Sequence, residues 1–292
     1  MLLKKLGFLV PVSIVILAIY LASNYKEEKK QEPPVISAPK ILFKSDVDGS
    51  NGMVSSASKY ATRVGIEILK NGGNAVDAAV AIGFALAVTY PQAGNIGGGG
   101  FMVIRTKDTI TSIDYREKAP SGSARNMFLD QKGNFIPEKS QLGYLSCGVP
   151  GSVAGLLYAL DKYGTMSRDA VIDPAIALAE NGFEIESRFA ASLNSNFETF
   201  KKFESTKKIF TKGGINYYEN EIFSQPELAN TLKLIKIHGR DGFYTGITAD
   251  LIEQEMLRGG GLITKQDLLN YQPIERSVVY TNYRGYDVYS MG

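Results

Sequence analysis

The most restrictive feature of this sequence is a run of fourteen residues that is apolar on almost every side. Residues 75–88 read AVDAAVAIGFALAV, and Asn74 stands three residues before Asp77 in the pattern of a capping box. These signals predict a helix, and a helix that is apolar nearly all round is buried on most of its faces. Its small side chains let neighbours approach closely, and its length is too short to span a bilayer.

The rest of the sequence predicts both helices and strands around this helix. Apolar residues at helical spacing begin near Ser58 and end at 71–73, and the runs 101–106 and 109–116 have the character of a strand hairpin. Further helices are predicted over 153–163, after an Asp173 cap with Pro174 at the first position, and after Thr264, which forms a capping-box start with Asp267. Further strands are predicted over 277–281 and 286–290. The residues by themselves predict an α+β or α/β fold.

The N-terminal part of the chain has the composition of an export segment. Residues 1–23 combine two early lysines with an almost unbroken apolar run over 6–22, which predicts a signal peptide or a membrane anchor. Residues 24–45 are charged and rich in proline, as in a linker. We therefore expect one large domain over 46–292, exported to the periplasm or the exterior, either released by cleavage or held by a membrane anchor.

The composition excludes several classes of function. Lys and Arg number 32 against 30 for Asp and Glu, and they are spread along the chain, unlike the concentrated basic face of a nucleic-acid binder. The single cysteine, Cys147, excludes an intrachain disulfide and a Cys-rich metal site. The single histidine, His238, excludes a multi-His metal site.

Two glycine-rich stretches each allow two interpretations. The four glycines at 97–100 could line a concavity for an anion, or could form a tight packing junction between a helix and a strand. The stretch 148–155 could present a helix N-terminus to an anion. A close connection between a strand and a helix is the more ordinary interpretation.

Arg116 is the candidate binding residue. It stands at the end of the second predicted strand, where its guanidinium offers a rigid two-pronged donor to a carboxylate. The competing interpretation is a structural ion pair with Asp114 or Glu117, and the residues alone favour that pair.

The order of several long motifs resembles the N-terminal half of the γ-glutamyltranspeptidase family, the glutathione hydrolases. The matching stretches are residues 61–81, 91–102, 114–120, 148–155, 160–166, 261–268 and 283–291. Together they extend over most of the predicted domain, from Met53 to Met291.

The resemblance implies a fold, a chemistry and a role for one residue. It implies the αββα sandwich of the N-terminal-nucleophile hydrolases, within an α+β class, here incomplete because the C-terminal half is missing. In this family a threonine that becomes the N-terminus of a small subunit attacks the γ-glutamyl carbonyl of substrates such as glutathione, and its own α-amino group serves as the base. The Arg motif at 114–120 implies that Arg116 holds the substrate α-carboxylate, which reverses the preference for an ion pair.

The same resemblance implies what this chain does not supply. The nucleophilic threonine lies in the small subunit, so we expect no catalytic nucleophile here, no activity from the chain alone, and a small subunit as partner. Neither a metal nor an organic cofactor is expected, and no nucleic acid. The alternative is an inactive exported remnant that binds a glutamate-like ligand or a separate small subunit. A related acylase or peptide-capsule transferase is disfavoured by the Arg motif.

Overall fold

The computed structural model describes residues 49–292 of the chain. The export segment predicted at 1–23, the linker predicted at 24–45 and the first residues of the predicted domain lie outside the described residues and stay predictions. Within 49–292, no helix combines the length and the apolar character needed to cross a membrane.

Helices and short antiparallel strands share this part of the chain. The helices are α1 Lys59–Lys70, α2 Ala75–Thr89, α3 Pro137–Gln141, α4 Ser152–Tyr163, α5 Arg168–Asn181, α6 Ser187–Ser195, α7 Phe197–Phe200, α8 Glu204–Phe210, α9 Pro226–His238, α10 Asp241–Tyr244, α11 Gly246–Gly259 and α12 Lys265–Asn270, with a 3-10 turn at Tyr144–Ser146. The strands are β1 Phe101–Arg105, β2 Ile110–Asp114, β3 Phe183–Glu184, β4 Ile222–Phe223, β5 Ile274–Arg276, β6 Val279–Tyr283 and β7 Tyr286–Ser290. This mixture confirms the α+β class.

Helix α2 lies at the centre of the helical layer, as its sequence predicts. Val80, Phe84 and Val88 are completely buried, and α2 packs against α1, α4 and α5. The predicted capping box is present: the Asn74 side chain accepts from the Asp77 N–H at 3.0 Å, and Asp77 Oδ2 accepts from the Asn74 N–H at 2.7 Å. The helix begins where it does because these two side chains satisfy its first N–H groups.

Asp77 also connects α2 to the loop that follows α4. Its buried carboxylate accepts hydrogen bonds from the Thr165 N–H at 2.8 Å, the Thr165 hydroxyl at 2.7 Å and the Met166 N–H at 3.0 Å. Burial raises the pKa of Asp77, but these hydrogen bonds outweigh that effect and lower the pKa overall. One carboxylate therefore caps a helix and fixes a distant loop.

The predicted hairpin is confirmed as β1 and β2, which pair antiparallel with Phe101 opposite Asp114. Strand β5 pairs with the other side of β2, with Ser112 opposite Arg276, so the strand order is β1-β2-β5. Strands β3 with β4 and β6 with β7 form two further two-stranded sheets. Strand β2 ends at Asp114, so Arg116 lies two residues beyond the strand and not within it.

Two predicted boundaries are wrong. Helix α5 begins at Arg168, where the Ser167 side chain accepts from the Ala170 N–H at 3.3 Å, and Pro174 lies inside the helix. Asp173 does not cap the helix but pairs with Lys236 of α9 at 2.8 Å. An internal proline costs roughly 3 kcal/mol, and burial of the α5 face, where Val171 and Ile172 are fully buried, offsets that cost. Strand β6 runs over Val279–Tyr283 and not over 277–281.

Candidate active site

The backbone of Arg116 is held from both sides. Its N–H donates to Asp114 Oδ1 at 3.0 Å, and its carbonyl oxygen accepts from the Tyr271 hydroxyl at 2.8 Å. The Arg276 guanidinium donates to the other Asp114 oxygen at 2.9 Å. Burial raises the pKa of Asp114, but the Arg116 N–H and the Arg276 ion pair outweigh it and hold the pKa below its usual range.

The Arg116 side chain, in contrast, is largely open. It is 61% exposed, and its Nη1 lies 3.4 Å from Glu117 Oε2. Its Cζ stands 5.9 Å from the centre of the Phe101 ring. Of the two ion pairs that the sequence offered, the one with Asp114 is not formed, because Asp114 pairs with Arg276, and the one with Glu117 is formed. The contact with Glu117 is long, which leaves the donors of the guanidinium available for a carboxylate.

Arg116 borders a cavity of about 360 Å³. Its walls come from the C-terminal turn of α2, the loop that follows it, the glycine run and the start of α4; they include Leu86, Asn95, Gly98, Glu117 and Ser152. A larger cavity of about 770 Å³ lies between α9 and α11, but its lining is mostly apolar and does not include Arg116. Of these two cavities, the smaller one has the polar and charged lining that a charged ligand needs.

The four glycines at 97–100 form a packing junction. The Gly98 carbonyl oxygen accepts from the N–H groups of Gly151 at 2.8 Å and Ser152 at 3.0 Å. A Cβ on Gly99 would lie 2.6 Å from the Tyr115 carbonyl oxygen and 2.8 Å from Glu117 Oε2. None of the four has a positive φ, so close approach, and not left-handed backbone, is the reason for glycine here.

The stretch 148–155 is a close connection to α4, and the N–H groups at the start of this helix already donate hydrogen bonds within the protein. The N–H groups of Gly151 and Ser152 donate to Gly98, and Ser152 Oγ donates to the Asn95 carbonyl oxygen at 3.1 Å. A Cβ on Gly155 would lie only 2.1 Å from Tyr115 Cγ. The Tyr115 ring thus packs directly on the backbone of α4, and burial raises the pKa of its hydroxyl.

Glu117 adds an unusual acceptor to this cavity. Its Oε2 is buried and, apart from the 3.4 Å ion pair with Arg116, has no hydrogen-bond partner among residues 49–292. Chemically, the guanidinium of Arg116 can pair with a carboxylate, while this oxygen can accept from a donor brought by a ligand.

Comparison with known proteins identifies the family. Residues 61–292 match the γ-glutamyltranspeptidase family. The chain belongs to that family. It is 50% identical over 261 residues to the glutathione hydrolase proenzyme of Escherichia coli, covering 89% of this chain and 45% of that protein. The chain thus spans about half the length of this relative.

Solved structures support the same membership. The γ-glutamyltranspeptidase of Helicobacter pylori matches with a TM-score of 0.83 at 49% identity, covering 85% of this chain and 72% of that chain. The Bacillus anthracis transpeptidase CapD matches with a TM-score of 0.70 at 34% identity, covering 84% and 76%. The fold class implied by the resemblance is therefore confirmed.

In this member of the γ-glutamyltranspeptidase family, the sequence analysis missed the residues whose contacts fix the backbone around Arg116. The Tyr271 ring stacks on Tyr244 with centroids 5.8 Å apart and planes 9° apart, and the Tyr244 hydroxyl donates to the Pro150 carbonyl oxygen at 2.9 Å. Arg240 donates to the carbonyl oxygens of Leu269 at 2.7 Å and Tyr271 at 2.8 Å. Burial raises the pKa of both tyrosines, so both hydroxyls stay protonated as donors.

The remaining candidates stand apart from this site. Cys147 is exposed and donates weakly to the Gly143 carbonyl oxygen at 3.7 Å, and partial desolvation of its sulfur raises the pKa of the thiol, which disfavours the thiolate. His238 is the last residue of α9, just before Gly239. Within residues 49–292, His, Cys, Asp and Glu side chains form no group that could hold a metal ion.

Proposed function

We propose that this chain supplies the substrate-carboxylate site of an enzyme that transfers or hydrolyses γ-glutamyl groups, with glutathione as a substrate. The observation that carries the proposal is the open Arg116 guanidinium at the edge of a polar cavity, on a backbone fixed by Asp114 and Tyr271. The E. coli relative is named a glutathione hydrolase proenzyme, which supports this choice of substrate.

Arg116 acts by orientation in this proposal. A bidentate contact with the α-carboxylate fixes the glutamyl group and leaves its γ-carbonyl pointing away toward the reacting groups. Because the backbone of Arg116 is fixed on both sides, the position of the guanidinium is restricted before the ligand arrives. The attack itself belongs to a threonine of a small subunit, whose α-amino group takes the hydroxyl proton and passes it to the departing amine, so that the γ-glutamyl C–N bond breaks as the γ-glutamyl-enzyme forms. Water or an amino acid then takes the glutamyl group and frees the threonine.

A small subunit is the proposed partner, and the chain alone is expected to be inactive. Support comes from apolar side chains on the strands that the described residues leave largely open: Phe101, Val103, Ile274, Val279, Tyr280 and Val288 are all at least 39% exposed. Exposed apolar patches of this kind mark interaction surfaces. We also propose that the complete protein works outside the cytoplasm, because of the export pattern at 1–23.

The binding half of the proposal is tested on the chain itself. Two ligands are compared: L-glutamate and its α-amide, which lacks the charge of the α-carboxylate. Each is titrated into the wild type, into Arg116→Gln and into Arg125→Gln, which is the control because Arg125 is also an exposed arginine. We expect glutamate to bind the wild type and the control, and Arg116→Gln to weaken binding by about 10- to 100-fold. Equal binding of glutamate and its α-amide to the wild type would contradict the assignment.

The catalytic half is tested in a complete two-subunit enzyme that contains this chain. Arg116→Lys keeps the charge but loses the planar fork, so we expect a sharp rise in KM for γ-glutamyl substrates. An unchanged KM refutes the role of Arg116. Glutamate binding without activity in the complete enzyme would instead favour the non-catalytic alternative.

A further inference from the structure

A second cavity, of about 320 Å³, lies on the other side of the segment that follows α2. Its walls come from the start of α1, the end of α2 and the start of α6. Gln92 lines both this cavity and the one beside Arg116, so the two are neighbours. The proposed function uses none of the other residues of this second cavity.

One wall of this cavity is aromatic. The rings of Tyr60 and Phe183 lie 5.0 Å apart, and those of Phe183 and Phe189 lie 6.1 Å apart in a stacked arrangement. Phe183 and Phe189 are mostly buried, at 6% and 9% exposure, so their rings are fixed by the core behind them. Phe183 and Phe189 therefore present only small parts of their rings to the cavity, and the partly buried Tyr60 ring adds the aromatic surface against which a planar apolar group can pack.

The cavity carries one uncompensated positive charge. Arg188, in the first turn of α6, forms no ion pair and no side-chain hydrogen bond with any residue of 49–292. Glu186, the acidic residue of the lining, pairs with Lys59 at 3.1 Å. The side chains of Tyr90 and Gln92 also line the cavity without a hydrogen bond to the described part of the chain.

We propose that this cavity binds a small aromatic carboxylate. The aromatic ring of the ligand packs against the Tyr60–Phe183–Phe189 wall, and its carboxylate accepts paired hydrogen bonds from the Arg188 guanidinium. The unused polar groups of Tyr90 and Gln92 supply further donors in the lining of the same cavity. Ligand pockets commonly combine such an apolar wall with a few convergent polar groups. The site shares only Gln92 with the lining of the Arg116 cavity and does not rest on the proposed function.

The test uses the full chain with phenylacetate as the probe and phenylacetamide as its neutral counterpart. Isothermal titration is performed on the wild type, Arg188→Gln and Arg116→Gln, with the thermal transition of each variant checked first; Arg188 is exposed, so its replacement is expected to fold. We expect saturable binding of phenylacetate to the wild type, binding of the amide weaker by about tenfold or more, and a loss of about 10- to 100-fold in Arg188→Gln.

Arg116→Gln separates this inference from the proposed function, because it should weaken glutamate binding by about 10- to 100-fold and leave phenylacetate binding intact. The inference is overturned if phenylacetate shows no saturable binding to the wild type, if the amide binds equally well, or if Arg188→Gln binds like the wild type. It is also overturned if Arg116→Gln alone removes binding, since the probe would then occupy the other cavity.

Discussion

The hydroxyl group of Tyr271 donates a hydrogen bond of 2.8 Å to the backbone carbonyl oxygen of Arg116, across 155 positions of sequence. Tyr271 is 2% exposed, and its ring is fixed by stacking on Tyr244. The segment that carries the proposed carboxylate-binding side chain is therefore anchored by a residue just after α12. This contact makes the position of Arg116 depend on the packing of the last helices.

Tyr271→Phe is expected to lower the free energy of unfolding by about 1–3 kcal/mol, because the Arg116 carbonyl oxygen loses its donor in a partly buried place while the ring stacking is kept. The measurement is urea unfolding followed by circular dichroism. Tyr283→Phe is the matched control, since Tyr283 is 60% exposed and its hydroxyl donates to no residue of the described part. Equal stabilities of the two variants would show that the Tyr271 hydrogen bond contributes nothing.

Gly155→Ala sets two effects of opposite sign against each other. Within a helix, alanine is favoured over glycine by about 1 kcal/mol. The new Cβ, however, would lie 2.1 Å from Tyr115 Cγ and 2.5 Å from its Cδ1, and Tyr115 is held between α4 and the glycine run. Overpacking of this kind costs about 1–3 kcal/mol or more, so we expect a net loss of stability and a displaced Arg116 segment.

The melting temperature measures this loss, and Gly122→Ala serves as the control because its Cβ would meet nothing closer than 3.7 Å. A stability of Gly155→Ala equal to or above that of the wild type would mean that Tyr115 moves at little cost, and that close packing is not why glycine occupies this position.

Glu275 gives the chain a stability that depends on pH. Its carboxylate pairs with Lys162 and accepts from the hydroxyls of Tyr163 at 2.6 Å, Tyr158 at 2.9 Å and Thr111 at 2.9 Å. These bonds lower the pKa of Glu275 from 4.5 to about 2 despite the opposing effect of burial, and the bond from Lys162 has the largest effect. Because the folded pKa is lowered, the contribution is complete above the unfolded value and is lost as the pH falls toward 2.

The expected result is a difference in unfolding free energy between the wild type and Glu275→Gln that is largest above about pH 5 and shrinks between about pH 5 and pH 2. Urea unfolding at a series of pH values measures it. Glu198→Gln, which removes a surface pair whose Glu side chain is 80% exposed, is expected to change stability little at neutral pH. If the difference in unfolding free energy between the wild type and Glu275→Gln stays constant with pH, the hydrogen bonds and ion pair of Glu275 are not its source.

Local signals in the sequence were enough for several elements. The capping boxes of α2 and α12, with Asn74–Asp77 and Thr264–Asp267, are formed as predicted. These predictions were right because both partners of a capping box lie within one helical turn, so their hydrogen bonds depend on little outside that turn. The same holds for the β1–β2 hairpin, whose strands are neighbours in the chain. Arg116 was selected as the candidate binding residue because the motif around it resembles that of the family, and its role in binding stays a prediction.

Local signals were insufficient where distant residues decide the outcome. The Asp173–Pro174 pair has the form of a helix start, yet α5 begins six residues earlier than Pro174 because its apolar face is buried and Ser167 caps it.

By itself, the sequence determined the family, the apolar central helix and the turns closed by neighbouring side chains. Only the tertiary structure decided that the glycines at 99 and 155 serve the close packing of Glu117 and Tyr115, and that Tyr271 holds Arg116. The physical reason is that a capping hydrogen bond is specified by spacing along the chain. A contact across more than a hundred residues is specified by the shape and polarity of the surfaces that the packed layers bring together.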